Sequence, residues 1–226
     1  MNTEFILADR QFTLIRYPEK HQHVSLQAWD SADELLISHV DDLVSEQSLT
    51  GNMLIFNDDF GALGCWFTQH NPIWISDSFI ALKSLGENLK ANLLNPVIDD
   101  NDKISAPVRS LTSVESLTLD THLAPDIILI KVPRTLALLE QQLIDIRKVA
   151  TPDTQIIAAG KVKSITKSVL ALFENILGPT TTSLAKKKSR LIFCQVSPAL
   201  RPKTNDYPSR WTCTLPTGKT VQLNNH

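Results

Sequence analysis

Met53-Leu54-Ile55-Phe56-Asn57-Asp58-Asp59-Phe60-Gly61-Ala62-Leu63-Gly64 is an apolar run that stops at a polar, acidic turn and restarts as a helix, and its reading decides the fold. It has the order of the first strand, loop and helix of a nucleotide-binding α/β sheet. In such sheets a ligand lies at the carboxyl ends of the strands, so the residues just after Phe56 govern whether a cofactor docks. A dinucleotide or S-adenosylmethionine loop needs glycines, because the backbone must turn tightly and pass close to the ligand with no Cβ in the way. Here the earlier glycine positions of a Gly-x-Gly-x-Gly turn ending at Gly61 fall on Asn57 and Asp59, while Asp58 and Phe60 add charge and bulk. Strand and turn persist, and the ligand surface is altered. The same residues also suit an ordinary buried strand with a polar turn.

Outward from this stretch, the strand Ile73 to Ser76 ends at Asp77, where nucleotide-binding folds place the acid that hydrogen-bonds ribose hydroxyls. Asp77-Ser78 equally suits the cap of the next helix, Phe79 to Leu94, and capping is the favoured reading. Val114 to Leu119 is expected to be a third strand. Asp126 to Ile130, the helix Thr135 to Val149 and Gln155 to Ala159 form the plainest βαβ unit, with strands apolar enough for the middle of a covered parallel sheet. A helix from Ser164 to Leu177 leads to strands at Thr180 to Leu184 and Arg190 to Val196, then a hairpin, Trp211 to Leu223, turning at Thr217-Gly218. Ser197 to Pro208, with three prolines, reads as a loop or linker.

Before the opening stretch, Phe12 to Tyr17 reads as a short strand. Leu26 to Val44 reads as a helix capped by Ser25, with Asp30, Asp33, Glu34, Asp41 and Asp42 on its wet side and His39 among them as a surface or satisfied residue. Trp29, Trp66 and Trp74 sit in apolar patterns and belong to the core, while Tyr207 and Trp211 are placed to stack on bases. Cys65, Cys194 and Cys213 are scattered and odd in number, which excludes a disulfide framework or a zinc site and makes each a small core residue. With 226 residues the chain can bury a full core, and no apolar run approaches membrane-spanning length, so a soluble, cytoplasmic protein is expected.

Charge is segregated along the chain. Residues 1–120 hold 7 Lys+Arg against 18 Asp+Glu, and residues 121–226 hold 15 against 6. A basic face attracts polyanions whatever the net charge, so RNA or an acidic substrate becomes a candidate partner. Lys131, Arg134, Lys161, Lys163 and Lys167 follow the fourth and fifth strands and should converge on one rim, and Lys186, Lys187, Lys188 and Arg190 lie at a turn between strands. All nine are candidate RNA contacts. Alternatively they solvate a sheet edge and keep it from pairing with another.

Three segments carry a family likeness: Ile55 to Leu63; Ile128 through Lys131-Val132-Pro133-Arg134-Thr135 to Leu143; and Leu177-Gly178-Pro179-Thr180-Thr181-Thr182 with Lys187-Lys188. They resemble the amino-terminal half of the ribosomal RNA large subunit methyltransferase G family, and Leu26 to Asp30 and Ala32 to Glu34 match as well. The resemblance implies an α/β, Rossmann-like class I methyltransferase fold: a mostly parallel twisted sheet with helices on both faces, degenerate at the cofactor site and with a β-rich carboxyl-terminal extension. It implies a longer two-domain enzyme whose other half binds S-adenosylmethionine and methylates guanine N2 in 23S rRNA. The family's catalytic Asn-Pro-Pro-Phe loop is replaced by Lys131-Val132-Pro133-Arg134, which agrees with the altered positions Asn57, Asp59, Gly61 and Asp77. Residues 1–196 are thus expected to be a non-catalytic RNA-recognition domain without cofactor or metal, and residues 197–226 a loop and hairpin leading to the catalytic domain. Two alternatives stay open: an active domain binding S-adenosylmethionine through Asp77 and Gly61, and a docking or dimerisation platform.

Overall fold

The computed structural model describes residues 2–19, 23, 25–46, 51–116, 119–120, 122–204 and 209–225. A hairpin of β1 (Glu4–Leu7) and β2 (Arg10–Thr13) precedes helix α1 (Ser31–Glu46). Then come β3 (Met53–Phe56), α2 (Ala62–Trp66), β4 (Ile73–Ile75) and α3 (Phe79–Ala91). A ribbon of β5 (Val97–Ile98) and β6 (Ile104–Ala106) leads to β7 (Arg109–Leu111) and the short α4 (Ser113–Ser116). The second half runs β8 (Ile127–Lys131), α5 (Leu136–Val149), β9 (Gln155–Lys161), α6 (Lys167–Ile176), β10 (Thr180–Thr182), β11 (Ser189–Cys194), β12 (Ser209–Thr214) and β13 (Thr220–Asn225).

Seven strands form the central sheet in the order β10-β11-β9-β8-β3-β4-β7. The five from β9 to β7 are parallel, and β11 runs antiparallel between β9 and β10. Successive side chains of a strand point to opposite faces, and both faces here are covered. Met53, Ile55, Ile127 and Leu129 pack with α1, α2 and α3, whereas Leu54, Phe56, Ile128 and Ile130 pack with α5 and α6. This two-sided burial is why the strands read as unbroken apolar runs. The chain leaves β3 towards β4 and β7 and returns to β8 on β3's other side, so the loops after β3 and β8 face each other at the switch point where ligands bind in open α/β sheets.

Several local expectations need correction. The third strand is Arg109–Leu111, and 113–116 is helical; residues 117 and 118 lie outside the described residues. An edge strand reading Arg-Ser-Leu offers no apolar run, while Val114, which drew the expectation, is 69% exposed. Helix α1 starts at Ser31 and is capped by Asp30, which accepts from the Ala32 and Asp33 N–H groups at 2.8 and 3.3 Å; Ser25 pairs locally with His23 instead. Of the cysteines, Cys65 and Cys194 are buried and Cys213 is exposed. The strand expected at Phe12 to Tyr17 is Arg10–Thr13, and its partner Glu4–Leu7 left no signature because only Phe5 of its apolar residues is buried. The Arg10 guanidinium lies 4.2 Å from the Trp66 ring centroid and donates to the Trp66 carbonyl at 2.9 Å.

Trp29, Trp66 and Trp74 are buried as expected. Past the sheet, Arg147 of α5 donates to the carbonyls of Leu177, Ser197 and Leu200 at 2.8, 2.7 and 2.9 Å, fastening the start of the 197–208 segment to the domain. Tyr207 lies outside the described residues. No helix among the described residues is long and apolar enough to cross a membrane.

Candidate nucleic-acid interface

The carboxyl edge of the parallel sheet divides into a closed centre and an open, basic end. At the centre, Asn57 follows β3 with φ 59°, a left-handed conformation that Asn tolerates better than most residues. Its side-chain N–H donates to the Lys131 carbonyl at 3.0 Å and to Gln142 Oε1 at 2.8 Å, and Gln142 Nε2 returns a bond to Asn57 Oδ1 at 2.8 Å. This amide pair joins the β3 loop to α5 across the switch point. Asp58 turns inward and accepts from the Gly61 and Gly64 N–H groups at 3.2 and 2.9 Å and from Trp74 Nε1 at 3.2 Å. Burial pushes its carboxyl up to about 7, helped by nearby Asp33 and opposed by the Gly64 N–H.

Gly61 has a packing reason to be glycine. Its φ is +85°, and a Cβ there would lie 2.7 Å from the Leu85 Cα of α3. Asp59 is exposed at the loop surface. Asp77 is spent on its neighbour: it accepts from the Ser113 N–H at 2.8 Å and from the Ser113 hydroxyl at 2.5 Å, while Ser78 caps α3 through the Ala81 N–H. The acid expected at a ribose therefore ties β4 to the start of α4.

Lys131 is the largest departure from the sequence reading. It ends β8 with its side chain on the α1 face, 6% exposed, with Nζ 2.5 Å from Asp33 Oδ1 and 3.2 Å from Asp30 Oδ1. Burial disfavours its charge, but the two carboxylates overcome this and hold it above the ordinary lysine range. Asp30 is lowered to about 2, because Lys131, the Ala32 N–H and Lys161 together outweigh its burial. Lys131 is thus a buried structural cation and leaves the set of candidate RNA contacts. Asp30 and Asp33, expected on the wet side of α1, are its partners, and Asp41, expected there too, accepts from Trp66 Nε1 at 2.9 Å. The sequence signal that pointed to them is Lys131 itself, since a cation closing an otherwise apolar buried strand requires a counter-charge.

The other expected cations divide by their distance from α1. Lys161 is half-buried and reaches Asp30 at 3.2 Å and the Ser31 hydroxyl at 2.8 Å. Lys187 pairs with Glu34 at 2.7 Å. These contacts undo part of the charge segregation, because the acids of the amino half sit in α1 directly over lysines of the carboxyl half. Arg134, Lys163, Lys167, Lys186 and Lys188 are exposed, and among the described residues none is in an ion pair. Arg190 is half-buried, with an Nε that has no hydrogen-bond partner.

Lys186 to Ser189 form the expected turn. Lys186 and Ser189 exchange both backbone bonds at 2.8 and 2.9 Å, and Lys187 and Lys188 have φ of 48° and 63°. Two positive φ values suit the twist of a tight hairpin, though glycine or asparagine fills such positions with less strain. The Val162 N–H donates to the Lys188 carbonyl at 3.0 Å, which docks the turn beside the end of β9. Lys161, Val162, Lys163 and Lys188 line a groove of about 510 Å³ there. Among the described residues no three of His, Cys, Asp or Glu converge to hold a metal.

The family profile of the RLMG N-terminal domain matches residues 2–198. The chain belongs to this family. It is 58% identical to the ribosomal RNA large subunit methyltransferase G of Alteromonas mediterranea over 235 residues, covering 100% of this chain and 57% of that protein. With the protein of the same name from Erwinia tasmaniensis it is 46% identical, over 97% of this chain and 53% of the relative. The RLMG N-terminal domain chain thus spans about half the length of these relatives. Among solved structures, it is similar to a T. thermophilus 16S rRNA N2 methyltransferase in complex with AdoMet and guanosine, at 11% identity and a TM-score of 0.59, over 98% of this chain and 51% of that one. A SAM-dependent methyltransferase from Agrobacterium tumefaciens gives a TM-score of 0.54 at 12% identity, over 74% of this chain and 63% of that one. These likenesses show the fold: the RLMG N-terminal domain has the α/β architecture of S-adenosylmethionine-dependent methyltransferases, with additional antiparallel strands.

Proposed function

We propose that this chain is the rRNA-recognition domain of a longer, S-adenosylmethionine-dependent 23S rRNA guanine-N2 methyltransferase, and that it is catalytically silent by itself. The observation that carries the reading is the closed centre of the carboxyl edge. Each group that a cofactor would use there is bonded to another part of the protein: Asn57 to Gln142, Asp77 to Ser113, and Lys131 to Asp33. These residues do not fit S-adenosylmethionine, and opening the crevice to it would strand the buried Lys131–Asp33 pair, a change of several kcal/mol. The cofactor and the chemistry then belong to the half of the protein that this chain does not span, in the cytoplasm where ribosomes are assembled.

RNA contact is supported by the exposed cations that follow the strands. Among the described residues Arg134, Lys163, Lys167, Lys186 and Lys188 have no protein counter-charge, and Lys163 and Lys188 line one groove. Phosphates are the partners such side chains lack, and each contact releases counterions from the RNA. Lys161 and Lys187 already hold carboxylates and contribute less.

Equilibrium binding of the chain to protein-free 23S rRNA across a salt series tests this. The expected log–log slope corresponds to on the order of three or more released counterions. A Lys163→Glu/Lys188→Glu variant should bind at least about tenfold more weakly with a shallower slope. Undetectable binding by the native chain at low salt ends the RNA-recognition reading. Calorimetric titration with S-adenosylmethionine should give no heat of binding, and stoichiometric heat would restore the alternative of an active domain.

A further inference from the structure

Strands β12 and β13 pair with each other from Ser209↔Asn225 to Thr214↔Thr220 and with no other strand of the described residues. Trp211 stands opposite Leu223 and Cys213 opposite Val221. Side chains alternate faces along a strand, so these four and Leu215, which continues the series, lie on one face, with Thr212, Thr214, Thr220 and Gln222 on the other. The hairpin therefore has an apolar face, and the chain leaves it open. Trp211 is 47% exposed, Leu215 40% and Leu223 39%, Cys213 is exposed, and only Val221 is half-buried. The hairpin's hydrogen bonds, among the described residues, run within its own strands and turn. An isolated two-stranded hairpin is marginally stable at best in water, and stability comes from packing its apolar face on something else.

Three occupants are conceivable, and the chemistry separates them. Nucleic acid is disfavoured because the face is apolar over both strands, and Lys219, exposed opposite Leu215 at the turn end, offers a single phosphate contact. A second copy of the chain is disfavoured by size: a stable interface uses roughly 20–30 residues on each side, far more than five side chains supply. Packing within one polypeptide avoids the loss of translational and rotational freedom, so a small face suffices. The family match ends at residue 198, before the hairpin, yet the Alteromonas relative aligns over the whole chain, which covers 57% of that protein.

We propose that the hairpin Ser209–Asn225 is the first element of the next folded unit, and that its Trp211, Cys213, Leu215, Val221 and Leu223 face packs into the apolar core of the half of the longer protein that this chain does not span. The inference rests on the longer, two-part protein proposed above and is independent of RNA binding. It makes the hairpin a founding piece of the second half rather than an appendage of the first.

Cys213 reports directly on whether the face is covered, because the other two cysteines are buried. Alkylation by iodoacetamide, followed by mass spectrometry, would be compared in the 226-residue chain and in the full-length protein. Cys213 should react readily in the short chain and at least about tenfold more slowly in the full-length protein, where it is reached only through local opening. A Trp211→Ser/Leu223→Ser variant should restore its reactivity in the full-length protein while leaving the unfolding midpoint of the short chain unchanged. Equal reactivity in the two native proteins overturns the proposal. So does protection already present in a short chain that sediments as a dimer, or protection that appears only when 23S rRNA is added. Because RNA affinity is measured separately, loss of this inference and loss of the RNA reading are distinguishable.

Discussion

Lys131 and Lys161 close adjacent parallel strands and both face α1, yet they do different work. Lys131 lies under the amino-terminal turn of the helix, where Asp30 and Asp33 enclose it. Lys161 lies one strand further out, is half-exposed, and shares only Asp30 and Ser31. Two residues later Lys163 is beyond the helix altogether and lies free beside Lys188. Position along one sheet edge thus converts the same side chain from a buried strut into a surface cation. The lesson is that a lysine count along a rim measures available phosphate contacts only after the acids that cover part of the rim are subtracted.

That contrast can be broken most directly by stability measurements. Lys131→Met should destabilise the domain by about 3–5 kcal/mol at neutral pH, because Asp33 is left buried without its partner, and urea unfolding would record it. Replacing Asp33 as well, in Lys131→Met/Asp33→Leu, should recover most of the loss. Lys188→Ala should stay within about 0.5 kcal/mol. Equal costs for Lys131→Met and Lys188→Ala would mean that the centre of the edge is not held as described.

A smaller effect is expected from the acids behind Lys131, and its sign depends on the group. Asp58 is raised to about 7 in the folded protein, above its unfolded value near 4, so the native state holds the extra proton between these values. Its contribution to stability is therefore present at low pH and falls as pH rises from about 4 to about 7. Asp30, lowered to about 2, works the other way: its contribution is present above the unfolded value and is lost as pH falls towards 2. Asp58→Asn should flatten the decline between pH 4 and 7 while leaving the acid limb in place, as read by denaturation midpoints across pH. An unchanged profile would show that Asp58 titrates normally.

The smallest effects sharpen the open end of the comparison. Lys187→Ala removes a largely exposed pair with Glu34 and should cost about 0.2–1 kcal/mol, less in high salt. In the RNA titration, Lys163→Ala should weaken binding more than Lys161→Ala, since only the first cation is free. The reverse order would move the RNA surface towards α1.

Much of this arrangement was legible before any coordinates. The apolar runs Met53 to Phe56 and Ile127 to Ile130 read as covered parallel strands because both of their faces are buried. The polar loop after Phe56 was legible as a turn, and the Lys186 to Arg190 turn emerged where its charge density placed it. Arg109–Leu111 was missed because an edge strand buries too little to impose a pattern. The acids of α1 were misread because helical spacing assigns a face without saying what covers it, and Asp33 lies opposite a lysine 98 positions away. Gln142 gave no signal, since a single amide among helical residues looks like any surface side chain.

By itself, the sequence determined the covered strands Met53–Phe56, Ile127–Lys131 and Gln155–Lys161 and the family, because these depend on local pattern and on runs of identity. Only the tertiary structure decided which charges remain free. Ion pairs form between elements far apart in the chain, and burial multiplies the consequence of each one, so the electrostatics of the edge could not be summed from composition. The same holds for the last hairpin: its alternation was readable, but that its apolar face lacks a cover became visible only once the rest of the chain had packed without it.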